Sequence, residues 1–204
     1  NHMQFKKVFL GRRSIRKYKD KKIPLSVIGE ILDLARFSPS AGNLQNWKFL
    51  VVTDVNKKNS IAESCFQQYW MTSAPVIIII CNDYSDVKKH YGKLGQMFSI
   101  QNCANIAFAI ELIAYDLGLS SSWVGAFDNE ALHRDFDIPE NMDPEIILTL
   151  GYADEVKKPS NRNDLKYITF FEKWGEKFAQ VPSHLDQFKE FTNIKKHIKK
   201  LKKK

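Results

Sequence analysis

Three guanidiniums fall within five residues at Arg12-Arg13-Ser14-Ile15-Arg16. So much like charge is costly to gather unless an anion sits among it. In an extended segment, residues two apart point the same way, so Arg12, Ser14 and Arg16 share one side. That side offers forked donors and a hydroxyl, the inventory that suits a phosphate. A solvated basic turn is the alternative for such a run taken by itself. A second stretch, Ser38-Pro39-Ser40-Ala41-Gly42-Asn43-Leu44-Gln45-Asn46-Trp47, is a polar, small-residue loop ending on a tryptophan. Its amides can meet a heteroaromatic edge. Elsewhere the chain has no nucleophile–base pair. His90, His133, His184 and His197 lack metal-ligand spacing and are expected at the surface. Cys65, Cys81 and Cys103 form no C-x-x-C pair, which argues against structural zinc and a disulfide scaffold. No metal is expected. Trp47, Trp123 and Cys103 read as core residues. No G-x-G-x-x-G follows a strand, so a dedicated Rossmann site for a nicotinamide is not supported.

Together the two stretches resemble the nitroreductase family of FMN-dependent oxidoreductases. The usual family pattern is Arg-Arg-Ser-x-Arg, then Pro-Ser-x-x-Asn-x-Gln-Pro-Trp. This chain departs once, with Asn46 where proline is usual. Leu117 to Phe127 resembles a third family segment; Lys158-Pro159-Ser160-Asn161-Arg162 with Phe171-Glu172-Lys173-Trp174 resembles a fourth. The match spans residues 5 to 175 in the family's order. It implies an α+β fold, a mixed and largely antiparallel sheet flanked by helices, in an intertwined homodimer that exchanges C-terminal segments.

Flavin chemistry asks little of side chains, because the cofactor carries the electrons. The protein must supply a phosphate anchor, donors at the ring's edge and an open face. The resemblance assigns Arg12, Ser14 and Arg162 to the FMN phosphate, with Arg13 in the same motif. It puts Arg16 near the flavin's N1 and O2, where a cation stabilises the anionic reduced ring. Pro39, Ser40 and Asn43 line the flavin of the other subunit; Gln67 falls near the family's polar contact to the pyrimidine edge but is not counted in the assigned set. The Gly125 and Ala126 amides match the donors to N5, which with Arg16 makes them the catalytic set. The implied activity is hydride transfer from NADH or NADPH to electron-poor acceptors, nitroaromatics or quinones, in a ping-pong cycle. Two rivals are a family specialist (a reductive dehalogenase or a flavin-fragmenting enzyme) and a basic protein binding nucleic acid or membrane.

The 204 residues suit one domain with a sizeable core. Residues 4–175 are expected to form the FMN-binding domain, and 176–204 a helical extension with a Lys-rich tail. Residues 1–3 look like a cloning remnant with Met3 as the native start. The net charge of +8 lies almost wholly in the tail, where Lys189 to Lys204 holds eight lysines and one glutamate. That confinement argues against nucleic acid as a partner. The absence of a signal peptide and the free-cysteine usage fit a cytoplasmic protein. The longest apolar run, Pro75 to Cys81, is too short to span a bilayer.

The site residues need elements to hold them. A short helix over 4–10 feeds the arginine run, and Pro24 opens a second helix to about Phe37. Strands are expected at 48–53, 75–81, 122–124 and 146–152, the second buried and central. Asp54 caps a helix to about Tyr69, and another helix covers 129–136. The longest helix, 96–117, stops at Gly118; it is either a monomer's core or a dimer's spine. Asp83 to Gly95 reads as polar and mobile, within a candidate lid of about residues 83 to 98.

Overall fold

The computed structural model describes residues 4–176; the expectations for residues 1–3 and for the Lys-rich tail lie outside them. The chain forms two compact units, Asn1–Pro159 and Ser160–Lys204. The first is built on a four-stranded sheet of β1 (Trp47–Val52), β2 (Val76–Asn82), β3 (Ser120–Val124) and β4 (Asp143–Gly151) in the order β1-β2-β4-β3. All three strand pairings are antiparallel. Among the described residues, parallel character is confined to an isolated bridge between Ser14 and Ser121. Helices α1 (Phe5–Gly11), α2 (Leu25–Ala35), α3 (Val55–Ser64), α4 (Ser85–Tyr91), α5 (Gly95–Asp116) and α6 (Asn129–Phe136) surround it.

Strand β2 explains the layering. Every residue of Val-Ile-Ile-Ile-Ile-Cys-Asn is buried, and side chains alternate across the pleat. Val76, Ile78 and Ile80 join a core with α2 and α5 residues Ile28, Ile31, Ile106 and Ile110. Ile77, Ile79 and Cys81 join the opposite core with Ile61 of α3 and Leu132 of α6. The sheet is thus buried on both faces and α5 is its principal cover. Gly118, at φ +81, ends α5 in the left-handed conformation, and the Leu119 amide reaches back to the Ala114 carbonyl at 2.8 Å. By length and composition alone, the stretch Ser85–Asp116 would suffice to cross a bilayer. On α5, however, Ser99, Asn102 and Glu111 are buried and hydrogen-bonded, as in a core helix.

Four expectations need correction. The helix capped by Asp54, whose side chain accepts from the Lys57 amide at 2.9 Å, stops at Ser64 rather than near Tyr69. Phe66 and Gln67 are both left-handed, at φ 56 and 61. Cys65 and Met71 belong to the same core, so the chain must double back there instead of running on. The segment 83–95 is ordered: α4 and a 3-10 turn over Gly92–Leu94 occupy it, pinned by the fully buried Val87. Trp123 is 38% exposed rather than core, while Trp47 is buried as expected. His133 is half-buried, its Nδ1 2.9 Å from the Ile138 carbonyl.

The turn into α5 depends on Gly95. A methyl there would overlap the Lys88 backbone and reach its nitrogen at 2.7 Å. Gly95→Ala is therefore expected to lower stability by about 1–3 kcal/mol, read as an earlier urea midpoint. An unmoved midpoint would show that α4 is not seated on this glycine.

In the second unit, the described part holds a short helix, α7 (Leu165–Ile168), and the ring pair Phe170–Trp174 at 4.6 Å between centroids.

Candidate active site

Helix α1 delivers the arginine run and β3 receives it. The Arg12 amide closes α1 on the Val8 carbonyl at 3.0 Å. Arg13 turns back: its Nη1 donates to the carbonyls of Leu10 at 2.8 Å and Arg12 at 2.6 Å, covering the carbonyl end of the helix. The next residues run extended beside the start of β3, where the Ile15 amide donates to the Ser121 carbonyl at 2.9 Å. Ile15 is buried with Tyr18 and Ala74, which fixes the run against the domain.

Among the described residues the Arg12 side chain has one polar contact, Glu111 Oε1 at 3.4 Å. Glu111 is 4% exposed and also accepts from Ser121 Oγ at 2.8 Å. Burial pushes its carboxyl above the usual range, while Arg12 and the Ser121 hydroxyl hold it down. A single long contact leaves other donors of the Arg12 fork uncommitted. Arg16 is exposed, with its guanidinium 5.7 Å from the Trp70 ring centroid. Its amide and that of Lys17 donate to Glu155 Oε1 at 2.5 and 3.2 Å. The Arg16 amide bond, chiefly, holds the Glu155 carboxyl below its ordinary value.

Strand β3 then carries the backbone from Ser121 to Gly125, about 13 Å at the usual rise per residue. Gly125 and Ala126 are exposed just past its end. A side chain built on Gly125 would meet only the Trp123 indole nitrogen, at 3.6 Å, so space over this backbone is open. Glycine permits close approach there. Ser14 and Arg12 thus gather at one end of β3, and Gly125 and Ala126 lie at the other.

The loop Pro39–Asn43 lies along α5. Gly42, Asn43 and Gln45 are left-handed, at φ 57, 57 and 47. The Ser40 hydroxyl accepts from the Gln45 amide at 3.1 Å, and Asn102 Oδ1 accepts from the Ala41 amide at 2.9 Å. Pro39 is shared by two grooves. One, of 490 Å³, is lined by Ser40, Tyr91, Phe98, Asn102 and Asn105; the other, of 470 Å³, by Ala104, Phe108, Leu112 and Trp123. Arg162 belongs to the second unit, where it is exposed and its Nη1 donates to the Asn161 carbonyl at 3.1 Å.

Sequence reasoning missed Glu111, and the signal was present: a carboxylate inside an otherwise apolar stripe of the long helix. The burial of Asn46, Asn82, Ser99 and Asn102 was also missed. No thiol competes as a nucleophile. Burial pushes Cys65 and Cys103 up to about 12 and Cys81 up to about 11. Among the described residues no cluster of His, Cys, Asp and Glu could hold a metal.

The arginine run is thus fastened to the edge strand of a sheet covered on both faces. The family model described as "Nitroreductase family" matches residues 10–70 and 64–152, and the chain belongs to the nitroreductase family. A protein of Methanothermobacter thermautotrophicus, provisionally named an NADH dehydrogenase/NAD(P)H nitroreductase, is 37% identical over 148 residues, 71% of this chain and 74% of its own. An iodotyrosine dehalogenase 1 homolog of Caenorhabditis elegans is 31% identical over 191 residues, covering 79% of this chain and 58% of its own. Among solved structures, an FMN-dependent nitroreductase of Clostridium difficile R20291 superposes with a TM-score of 0.71 at 28% identity. That alignment covers 81% of this chain and 98% of the other.

Proposed function

We propose that this chain is an FMN-dependent oxidoreductase that takes hydride from NADH or NADPH and passes it to electron-poor acceptors, nitroaromatics or quinones. The observation that carries the reading is the pairing of Arg12 and Ser14 at the start of β3 with open Gly125–Ala126 backbone at its end. FMN supplies the redox chemistry when bound. Arg12 and Ser14 would anchor its phosphate. Arg13 acts through the backbone, fixing the end of α1 that presents Arg12. Arg16, resting on Trp70, sets a positive charge beside the ring's pyrimidine edge. Gly125 and Ala126 offer amides to the reacting edge, and the loop Pro39, Ser40 and Asn43 closes the partner subunit's site.

Two measurements test the reading. Purified protein should carry a flavin spectrum and run as a homodimer, at about twice the 23.6 kDa chain mass; a flavin-loaded monomer by light scattering would remove the shared loop. With one open face, donor and acceptor bind in turn, so steady-state plots at several acceptor concentrations should be parallel. Converging lines would exclude the shared face. The dehalogenase-named relative supports a second reading, which halide release from a halotyrosine under the same assay would favour.

A further inference from the structure

We infer that Asn102, together with Asn46, is a positioning residue for the Pro39–Asn43 loop, a role that rests on reading that loop as part of the flavin site. A one-way chain of buried amides links the loop to the sheet. The Ala41 amide donates to Asn102 Oδ1 at 2.9 Å, and Asn102 Nδ2 donates to Asn46 Oδ1 at 2.7 Å. Asn46 Nδ2 donates to Asn82 Oδ1 at 2.7 Å and to the Ser99 carbonyl at 3.2 Å. Asn82 Nδ2 donates to Glu145 Oε1 at 2.8 Å and to Ser99 Oγ at 3.0 Å. Asn46, Asn82 and Asn102 are 4%, 0% and 3% exposed.

Each carboxamide accepts with its oxygen and donates with its nitrogen, so the dipoles align and the bonds reinforce one another. The relay ties the loop to β2, β4 and α5. What it holds includes a left-handed non-glycine residue: Asn43, at φ 57, follows Gly42 in a three-residue turn, and such a conformation at a non-glycine residue persists only where the surroundings over-determine it. Among the described residues, the Ala41 bond is the one side-chain bond from α5 to an amide of that turn. Asn46 stands where the family pattern has proline, which offers no such side chain. In this chain, the loop's geometry is set by amides.

The test compares amide exchange with flavin binding in the purified full-length protein. Asn102→Ala should speed exchange at Ala41 about tenfold or more, with β2 amides unchanged as the internal control. It should weaken FMN and riboflavin by a similar factor, about tenfold, leaving the preference between them intact. Asn102→Asp keeps the acceptor for the Ala41 amide and should restore its protection. If Asn102→Ala does not fold, Asn102→Ser, too short to reach Ala41, serves in its place. Wild-type exchange at Ala41 in these variants would overturn the positioning role. So would a selective loss of FMN over riboflavin, which would move the effect to the phosphate. A wild-type protein that binds no FMN overturns the site reading itself, and is recognised because the parent then fails before any variant is compared.

Discussion

Arg12→Ala is expected to weaken FMN binding by about one to two decades while riboflavin binding changes far less. Charge-assisted bonds to a phosphate are each worth roughly 1.5–3 kcal/mol, and about 1.4 kcal/mol is tenfold in affinity. The geometry sharpens the expectation. The fork is held from behind by Glu111 at 3.4 Å, and its side chain is 20% exposed, so it is steered yet reachable. Removing it also leaves Glu111 buried with only the Ser121 hydroxyl, which favours the protonated carboxyl. Arg12→Lys keeps the charge without the planar fork and should fall between the two. Titrating apoprotein with each flavin gives the ratio directly. Equal losses for FMN and riboflavin would show that Arg12 does not hold a phosphate.

Asn46→Pro, which installs the residue usual in the family, is expected to destabilise this protein by about 3 kcal/mol or more. The substitution strips partners from Asn82 Oδ1, Asn102 Nδ2 and the Ser99 carbonyl, all within the buried network. Each buried polar group left unmatched costs roughly 1–3 kcal/mol. The main-chain bond from the Asp83 amide to the Asn46 carbonyl, 2.8 Å, survives the change, while a proline also disfavours the left-handed backbone of Gln45 before it. Urea melts should show an earlier midpoint at unchanged slope. A midpoint equal to the parent's would mean that the amide cluster contributes nothing net.

Much of the fold was legible in residue order. The apolar run Pro75 to Cys81 could only be a strand buried on both faces, and it is the centre of the sheet. Pro24 and Gly118 marked helix ends because their backbones leave little choice. The end of α3 was not legible. Nothing in Phe66-Gln67 favours positive φ; the reversal is imposed by Cys65 and Met71 entering one core, a tertiary demand that overrides local propensity. The lid segment read as mobile because its composition is polar, while one buried valine and one glycine against a backbone suffice to order it. At the site, the motif residues could be located but their partners could not. Glu111 lies 99 positions from Arg12, and Asn46 meets Asn102 only because a loop and a helix cross.

The four consecutive isoleucines of β2 carry a consequence for synthesis. The strand needs β1 on one side and β4 on the other, and β4 leaves the ribosome only after α4, α5, β3 and α6. Until then one long edge of Val76–Asn82 has no hydrogen-bonding neighbour. It is β-branched, uncharged and free of proline, the composition that recruits a like strand from another nascent chain. Non-local pairings of this kind also form slowly. Overproduction should therefore fail first by insoluble deposits at high temperature and rapid induction. Slower translation or chaperone supply should recover soluble protein without any change to the sequence.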